Sequence, residues 1–311
     1  MSPSAYPDPH ALRSAIADRL RPLARERSVQ LTDLQRQFAY DRLLCRVFSH
    51  DPDRWVLKGG TAMLARHGSD ARHTRDVDLL SRTGDLHEAE QALRVAAGLD
   101  LDDYFAFTLS PGRRIAQGAG ALRVRVQADL GLREFARFHV DLVANLTMTG
   151  APDPVMPLVP VQIPGLSGTN YMAYPLVDHI ADKVHGLLET HARASGLSEP
   201  STRYRDLVDL AVFAHTASID ARELESALVS EAARRGIVLP RRVTVPTSGA
   251  WSQGYARIAR DLPSLPERDL KAALATVGRF IDPVLDGRAQ GHWDHAKLQW
   301  DASETTERAG S

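Results

Sequence analysis

Residues 57–80 read LKGGTAMLARHGSDARHTRDVDLL and contain two features with a clear chemical meaning. Its first part, Lys58 to Thr61, follows an apolar run and precedes an apolar helical stretch, so it predicts a glycine turn that opens a helix. Glycine lets the backbone approach an anion closely, the start of a helix offers unpaired N–H groups, and Thr61 can cap the helix or donate its hydroxyl. We therefore expect Lys58, Gly59, Gly60 and Thr61 to bind phosphate. For Lys58, a phosphate contact and simple solvation at the turn are equally open.

The second part of the stretch is Asp76-Val77-Asp78, followed by two leucines. If it is a strand, side chains at i and i+2 share one face, so both carboxylates project together while Val77 turns to the other face. Two adjacent carboxylates repel each other unless a cation joins them. Oxygen ligands of this kind suit Mg²⁺, which is commonly held by one or two carboxylates together with substrate phosphates.

Hydrophobic periodicity predicts the elements around this stretch. We expect helices over 9–27, 31–48, 86–97, from 175, 203–216, 219–235, 254–261 and 267–282, and strands over 104–108, 120–129 and 137–143. Alternation in the last strand places His139 and Asp141 on one face. Dense prolines between 151 and 175 predict a connection with a short edge strand at 159–163. The polar tail from Ala302 is expected to fray.

The composition is that of a globular protein, and its net charge does not favour binding to nucleic acid. The chain has 311 residues, of which 43% are apolar, and its 38 basic and 39 acidic residues nearly cancel. One or two domains are expected, and any surface for nucleic acid must be a local patch. The single cysteine, Cys45, excludes an internal disulfide and is interpreted as a buried thiol. With no apolar run long enough to span a membrane, we expect a cytoplasmic protein.

A glycine turn about fifteen residues before an Asp-x-Asp strand resembles the layout of polymerase-β-like nucleotidyltransferases. More narrowly, LKGGTA and Arg72-x-Thr74-x-Asp76-Val77-Asp78-Leu79 resemble the AbiEii/AbiGii family of nucleotidyltransferase toxins, which belong to type IV toxin-antitoxin systems. Further along, Ala181-Asp182-Lys183 and Arg205-Asp206-x-x-Asp209-Leu210 resemble later motifs of that family. The resemblance covers roughly residues 30–215.

This resemblance implies an α+β fold, in which a polymerase-β-like mixed sheet is flanked by helices and the C-terminal half is mainly helical. We expect a nucleotidyltransferase domain with N-terminal helices over 1–150, and a helical domain over 151–311 that completes the nucleotide cleft. Asp141 is implied as the third metal ligand beside Asp76 and Asp78, and Asp129 is the weaker candidate. Lys183 would contact the triphosphate and Asp206 would orient it, while Asp209 helps to fix the helices.

The function implied is Mg²⁺-dependent transfer of nucleotides from an NTP to the 3′ acceptor end of tRNA, which blocks translation. A cognate antitoxin is expected as a partner, and neither a membrane nor DNA is. Three alternatives stay open: transfer to a protein side chain, transfer to a small molecule such as an antibiotic, and a non-catalytic nucleotide-binding module.

Several residues beside these motifs have two interpretations. Arg75 either lies near the nucleotide or is solvated, and Thr74 is a candidate for regulatory phosphorylation, which would set negative charge beside the metal carboxylates. Two groups of arginines either line a path for RNA phosphates or form solvated faces. The groups are Arg113, Arg114, Arg123, Arg125, Arg133 and Arg137, and Arg234, Arg235, Arg241 and Arg242.

Overall fold

The structure, a computed structural model, describes residues 5–115, 120–188, 190–192, 198–200, 203–246 and 248–301. The chain divides into two compact units. Unit 1 comprises residues 1–69, 73–147 and 152–174, and unit 2 comprises 70–72, 148–151 and 175–311. The proline-rich segment, residues 152–174, belongs to unit 1. The expectation for the tail from Ala302 lies outside the described residues.

Unit 1 is built on one mixed sheet. Its strands are β1 Trp55–Leu57, β2 Asp76–Ser81, β3 Phe105–Leu109, β4 Arg113–Ile115, β5 Ala121–Leu130, β6 Arg133–Ala144, β7 Asp153–Val155 and β8 Tyr171–Ala173. The order is β3-β5-β6-β2-β1-β8-β7, and β4 also pairs with β5. The β2–β6 and β1–β8 pairs are parallel and the others are antiparallel. The expected mixed sheet is confirmed.

The helices of unit 1 are α1 Pro9–Glu26, α2 Leu31–His50, α3 Gly59–His67 and α4 Leu86–Ala97, and two of them cover one face of the sheet. Helices α2 and α4 pack against β6. The ring of Tyr40 on α2 lies 4.7 Å from that of Phe138. Val77, Val124 and Val140 on the same face are fully buried. Since side chains alternate along a strand, their polar neighbours Asp76, Asp78, Arg123, His139 and Asp141 lie on the opposite face.

The proline-rich segment is held by a buried carboxylate of α2. Asp41 accepts hydrogen bonds from the backbone N–H groups of Leu158 and Val159, both at 2.9 Å, and from the Tyr171 hydroxyl. The edge strand predicted at 159–163 is wrong, because these backbone groups are bound by a side chain and not by a sheet ladder. Two strands do form in the segment, β7 near its beginning and β8 near its end.

Unit 2 is mainly helical, as expected. It contains α5 Leu176–Leu188, α6 Tyr204–Thr216, α7 Ala221–Arg235, α8 Gly249–Arg260 and α9 Leu270–Leu285, with two small hairpins, β9 Thr190–Ala192 with β10 Ser198–Pro200 and β11 His292–Asp294 with β12 Gln299–Asp301. The buried Trp293 indole donates to the Ala214 carbonyl at 2.8 Å, which ties the last hairpin to α6. Among the helices of the described residues, none combines the length and apolar character needed to span a membrane.

Candidate active site

The glycine turn lies directly against the carboxylate of Asp78. Helix α3 begins at Gly59, whose φ is +51°. The Gly60 N–H donates to Asp78 Oδ2 at 3.2 Å, and the Lys58 N–H donates to the Asp78 carbonyl at 2.9 Å. A Cβ added at Gly59 would lie 2.6 Å from Asp78 Cγ and closer still to Oδ2. Glycine is therefore required here for two reasons, the backbone conformation and the close approach of the carboxylate.

The Thr61 side chain binds the backbone of β2. Its hydroxyl donates to the Asp76 carbonyl at 3.0 Å and accepts from the Asp78 N–H at 3.2 Å, and the residue is fully buried. The prediction that Thr61 caps the helix is wrong, because the N-cap position is Lys58, which makes no side-chain capping bond. The hydroxyl instead fixes α3 to the part of β2 that carries both carboxylates.

Lys58 is buried, with 9% of its surface exposed. Its ammonium lies 4.3 Å from the centre of the Tyr174 ring, a cation–π distance. The interpretation of Lys58 as a solvated side chain at the turn is therefore wrong. Contact with phosphate stays a prediction.

Three carboxylates share the polar face of the sheet. The parallel register of β2 and β6 sets Asp78 beside Asp141 and Asp76 beside His139. His139 Nδ1 lies 3.4 Å from Asp76 Oδ1. The weaker candidate, Asp129, lies on β5. Arg123, the residue of β5 that is opposite Asp141, is six residues away from Asp129, a distance of about 20 Å along the strand. Asp129 is therefore too distant to share an ion with this group.

Arg123 is the residue of this face whose place in the site the sequence did not predict. Its guanidinium binds Asp141 through two hydrogen bonds, from Nε at 2.8 Å and from Nη2 at 2.7 Å, and approaches Asp76 Oδ2 at 3.5 Å. The hydrogen bond to Asp141 and the nearby carboxylate charges raise the pKa of Arg123 above its usual value. The alternation of β5 placed Arg123 on a polar face, but only the strand order places it beside Asp141.

The donor set fits a hard divalent cation in its chemical type. All three acidic ligands offer oxygen, and Asp78 and Asp141 are direct neighbours across two strands. As the side chains stand, Asp141 is bound by Arg123 and Asp78 by Gly60. In the part of the chain that the structure describes, no three acidic, histidine or cysteine side chains are gathered closely enough to hold one ion. Binding of a metal would thus require these side chains to exchange partners.

The motifs of unit 2 form a buried ion cluster. Lys183 Nζ on α5 lies 2.9 Å from Asp206 Oδ1 and 2.7 Å from Asp209 Oδ2 on α6. Arg72 also binds Asp209, through Nε at 2.9 Å and Nη2 at 3.1 Å. Asp209 therefore pairs with the lysine as Asp206 does, besides joining the helices. The contact of Arg72 was not foreseen, because 137 residues separate it from its partner.

Opposing effects act on the pKa values in this cluster. Burial alone would lower the pKa of Lys183, but the charges of Asp206 and Asp209 outweigh it and raise that pKa above its usual value. Burial would likewise raise the pKa of Asp209, but Lys183 and Arg72 lower it to about 2. Lys183 and Asp209 consequently stay ionised at neutral pH.

Thr74, Arg75 and two arginines of the C-terminal group differ in their contacts and exposure. The Thr74 hydroxyl donates to the Asp76 carbonyl at 3.1 Å, and the residue is 8% exposed. Arg75 is exposed. In the C-terminal arginine group, Arg234 pairs with Glu231, and Arg235 pairs with Glu231 and Asp182. Those two arginines are engaged within unit 2, which weakens the case for that group as an RNA surface.

Comparison with known proteins gives one informative match. The family model described as "Nucleotidyl transferase AbiEii toxin, Type IV TA system" matches residues 42–296. No curated protein matches. Among solved structures, JHP933 from Helicobacter pylori is similar at 15% identity and a TM-score of 0.43, over 82% of this chain and 94% of that one. A second H. pylori structure, named a "putative nucleotidyltransferase", is similar at 15% identity and a TM-score of 0.44, over 83% and 98%.

The family assignment rests on the model match, which spans most of the chain and includes the glycine turn, the carboxylate face and the Lys183 cluster. The chain therefore belongs to the AbiEii family of nucleotidyltransferase toxins of type IV toxin-antitoxin systems.

Proposed function

We propose that this chain is a Mg²⁺-dependent toxin that transfers nucleotides from an NTP to the 3′ acceptor end of tRNA and so blocks translation. The observation that carries the proposal is the contact between the glycine turn of α3 and Asp78, on a sheet face that also holds Asp76 and Asp141. A phosphate-binding helix start and a group of carboxylates are the two parts that nucleotidyl transfer requires side by side.

The start of α3 supplies the donors that we assign to the triphosphate. These are the N–H groups of Gly59, Gly60 and Thr61, with Lys58 adding a positive charge beside them. The Gly60 N–H is bound by Asp78 in the structure, and nucleotide binding would replace that carboxylate with a phosphate oxygen. Thr61 acts through the backbone of β2, which its hydroxyl holds in place.

Asp76, Asp78 and Asp141 would hold the magnesium, which when bound neutralises the triphosphate and lowers the pKa of the acceptor hydroxyl. The protein's own task is positioning and charge stabilisation. His139, 3.4 Å from Asp76, orients that carboxylate. Arg123 binds both oxygens of Asp141 and would have to release at least one of them for Asp141 to bind the metal.

Lys183 is proposed as a triphosphate contact oriented by Asp206. The lysine is buried between two carboxylates, so it could instead serve only to hold α5 and α6 together. The variant Lys183→Met distinguishes the two roles. Under our proposal the Kd for NTP rises by at least about tenfold, as loss of a charge contact implies. If only the melting temperature falls and the folded protein binds NTP as tightly as wild type, Lys183 is structural.

The central experiment incubates the protein with total tRNA, Mg²⁺ and each labelled NTP in turn. Label on tRNA is expected from wild type, and a loss of at least about 10²-fold from Asp76→Asn or Asp78→Asn, which keep the side-chain shape but lose the charge. Label on a protein or on a small molecule would overturn the tRNA acceptor. If no NTP labels any acceptor, the result would favour a non-catalytic nucleotide-binding module.

We also propose control by a cognate antitoxin and, separately, by phosphorylation of Thr74, both acting on a cytoplasmic protein. The Thr74 hydroxyl is bound to the Asp76 carbonyl, so phosphorylation would have to release it and would bring charge to the start of β2. Thr74→Glu should abolish transfer, while Thr74→Val should retain most of it. Full activity of Thr74→Glu would reject the regulatory role of this hydroxyl.

A further inference from the structure

The carboxylate face of the sheet continues into a row of arginines. Cross-strand register places Asp78 beside Asp141, Asp141 opposite Arg123, and Arg123 opposite Arg113. In the next row, Asp76 lies beside His139, which is opposite Arg125. Residues in register share a face, so acidic side chains on β2 and β6 give way to basic ones on β5 and β4.

The arginines on this face differ in how their charge is balanced. Arg123 is neutralised by Asp141. Arg113 and Arg125 are exposed, and neither side chain has a carboxylate partner in the part of the chain that the structure describes. Arg113 also lies directly opposite another arginine, an arrangement of like charges that disfavours the sheet. Two unbalanced cations next to a candidate active site call for an anionic partner.

We propose that Arg113 and Arg125 bind the backbone phosphates of the single-stranded RNA whose 3′ hydroxyl is presented at the carboxylates. The proposal rests on the function proposed above. With strands about 4.8 Å apart, Arg113 lies three strands from Asp78, or on the order of 14 Å, and Arg125 two strands from Asp76, or on the order of 10 Å. Such spacing suits the last few unpaired nucleotides of an acceptor end. When the bases of one strand are stacked, its phosphates advance by about 3.4 Å per nucleotide along the axis.

Of the other sheet arginines, Arg114 and Arg133 do not join this surface, and Arg137 is already paired with Glu134. Arg114 is on the same strand as Arg113 but is paired in register with Leu122, whose side chain is buried, and so faces the other way. Arg133 is at the β5–β6 hairpin, far along the strands from the carboxylates. The structure thus divides a sequence cluster of six arginines, and Arg114 provides a matched control of equal charge one residue away.

The test measures RNA binding without chemistry. Fluorescence anisotropy of labelled tRNA is followed against salt, without NTP or Mg²⁺, for wild type, Arg113→Ala/Arg125→Ala and Arg114→Ala. Loss of two phosphate contacts should reduce the slope of log K against log salt by about 1.4 and weaken binding on the order of tenfold. Arg114→Ala should match wild type, and equal melting temperatures would show that all three proteins are folded.

Transfer assays separate this proposal from the function on which it rests. The double variant should show a raised KM for tRNA, with an unchanged KM for NTP. If wild type labels tRNA and the double variant binds and labels it equally well, the surface is wrong and the function stands. If wild type neither binds nor labels tRNA, the acceptor class is wrong, and the surface falls with it.

Discussion

At the scale of the residue, Gly59 is the position where backbone and site chemistry meet. Gly59→Ala is expected to lower both stability and transfer, because its Cβ would displace the Asp78 carboxylate. Gly68→Ala, at the other end of α3, is the matched control. Gly68 also has a positive φ, +55°, but a Cβ there would meet no atom within 4 Å.

Both substitutions should cost roughly 1–3 kcal/mol in backbone strain. Only Gly59→Ala should also reduce transfer, by at least about tenfold, when folded protein is assayed. The measurements are thermal unfolding and tRNA labelling. Equal activity in the two variants would mean that the contact between Gly59 and Asp78 has no bearing on the reaction.

Thr61 tests how the site is held in place. Thr61→Val keeps the shape but leaves the half-buried Asp78 N–H without its acceptor, which should cost about 1–3 kcal/mol of unfolding free energy. Thr61→Ser keeps the hydroxyl and loses one methyl group, at about 1 kcal/mol. Urea unfolding compares them. If the valine variant is at least as stable as the serine variant, the hydroxyl does not fix β2.

At the scale of the element, α5 and α6 are joined by the ion cluster of Lys183, Asp206, Asp209 and Arg72. The pKa of Asp209 is about 2 when folded, lower than the ordinary value of about 4 that it has when unfolded. This carboxylate therefore stabilises the folded state above about pH 4, and the stabilisation is lost as the pH falls through about 2. The difference between these two pKa values corresponds to a contribution on the order of 3 kcal/mol.

Urea unfolding at pH 5 and at pH 3 measures this contribution. Wild type should lose more stability between the two pH values than Asp209→Asn does, because the variant has no proton to take up at this position. The same loss in both proteins would place the pKa of Asp209 near its ordinary value and leave the cluster with no share in acid unfolding.

Elements with local signals could be predicted from the sequence. Helix α4 was expected over 86–97 and is found there, because Asp85 and Glu88 form a capping box and Gly98 follows its end. Asp76 and Asp78 were expected on one face of their strand, and so were His139 and Asp141, because side chains alternate along a strand with a period of two. β7 and β8 were missed, since three-residue strands among prolines show no alternation.

Contacts set by strand order or by tertiary packing could not be predicted. Arg123 binds Asp141 only because β5 and β6 pair in one register, and Arg72 reaches Asp209 across 137 residues. No local pattern encodes either distance. The same limit applies to Thr61, for which the sequence left helix capping and hydroxyl donation open, and whose hydroxyl donates to the backbone of β2.

At the scale of the whole molecule, charge is nearly balanced, with 38 basic and 39 acidic residues. A polyanion therefore meets no long-range attraction, and affinity must come from local arginines such as Arg113 and Arg125. Non-specific binding to duplex DNA depends on releasing many counterions along the helix, which requires a broad cationic surface. Two unbalanced arginines beside a carboxylate group do not provide one.

We therefore expect duplex DNA to bind more weakly than about 10⁻⁴ M at physiological salt, while tRNA binds measurably under the same conditions. The anisotropy assay used for tRNA, repeated with a labelled duplex, tests this, and a single-stranded RNA of the same length controls for charge density. A flexible single strand can lay its phosphates along the row of arginines, whereas a rigid duplex meets the same row with repelling carboxylates beside it. If duplex DNA bound as tightly as tRNA, with the same salt slope, recognition would depend on a cationic surface elsewhere on the molecule.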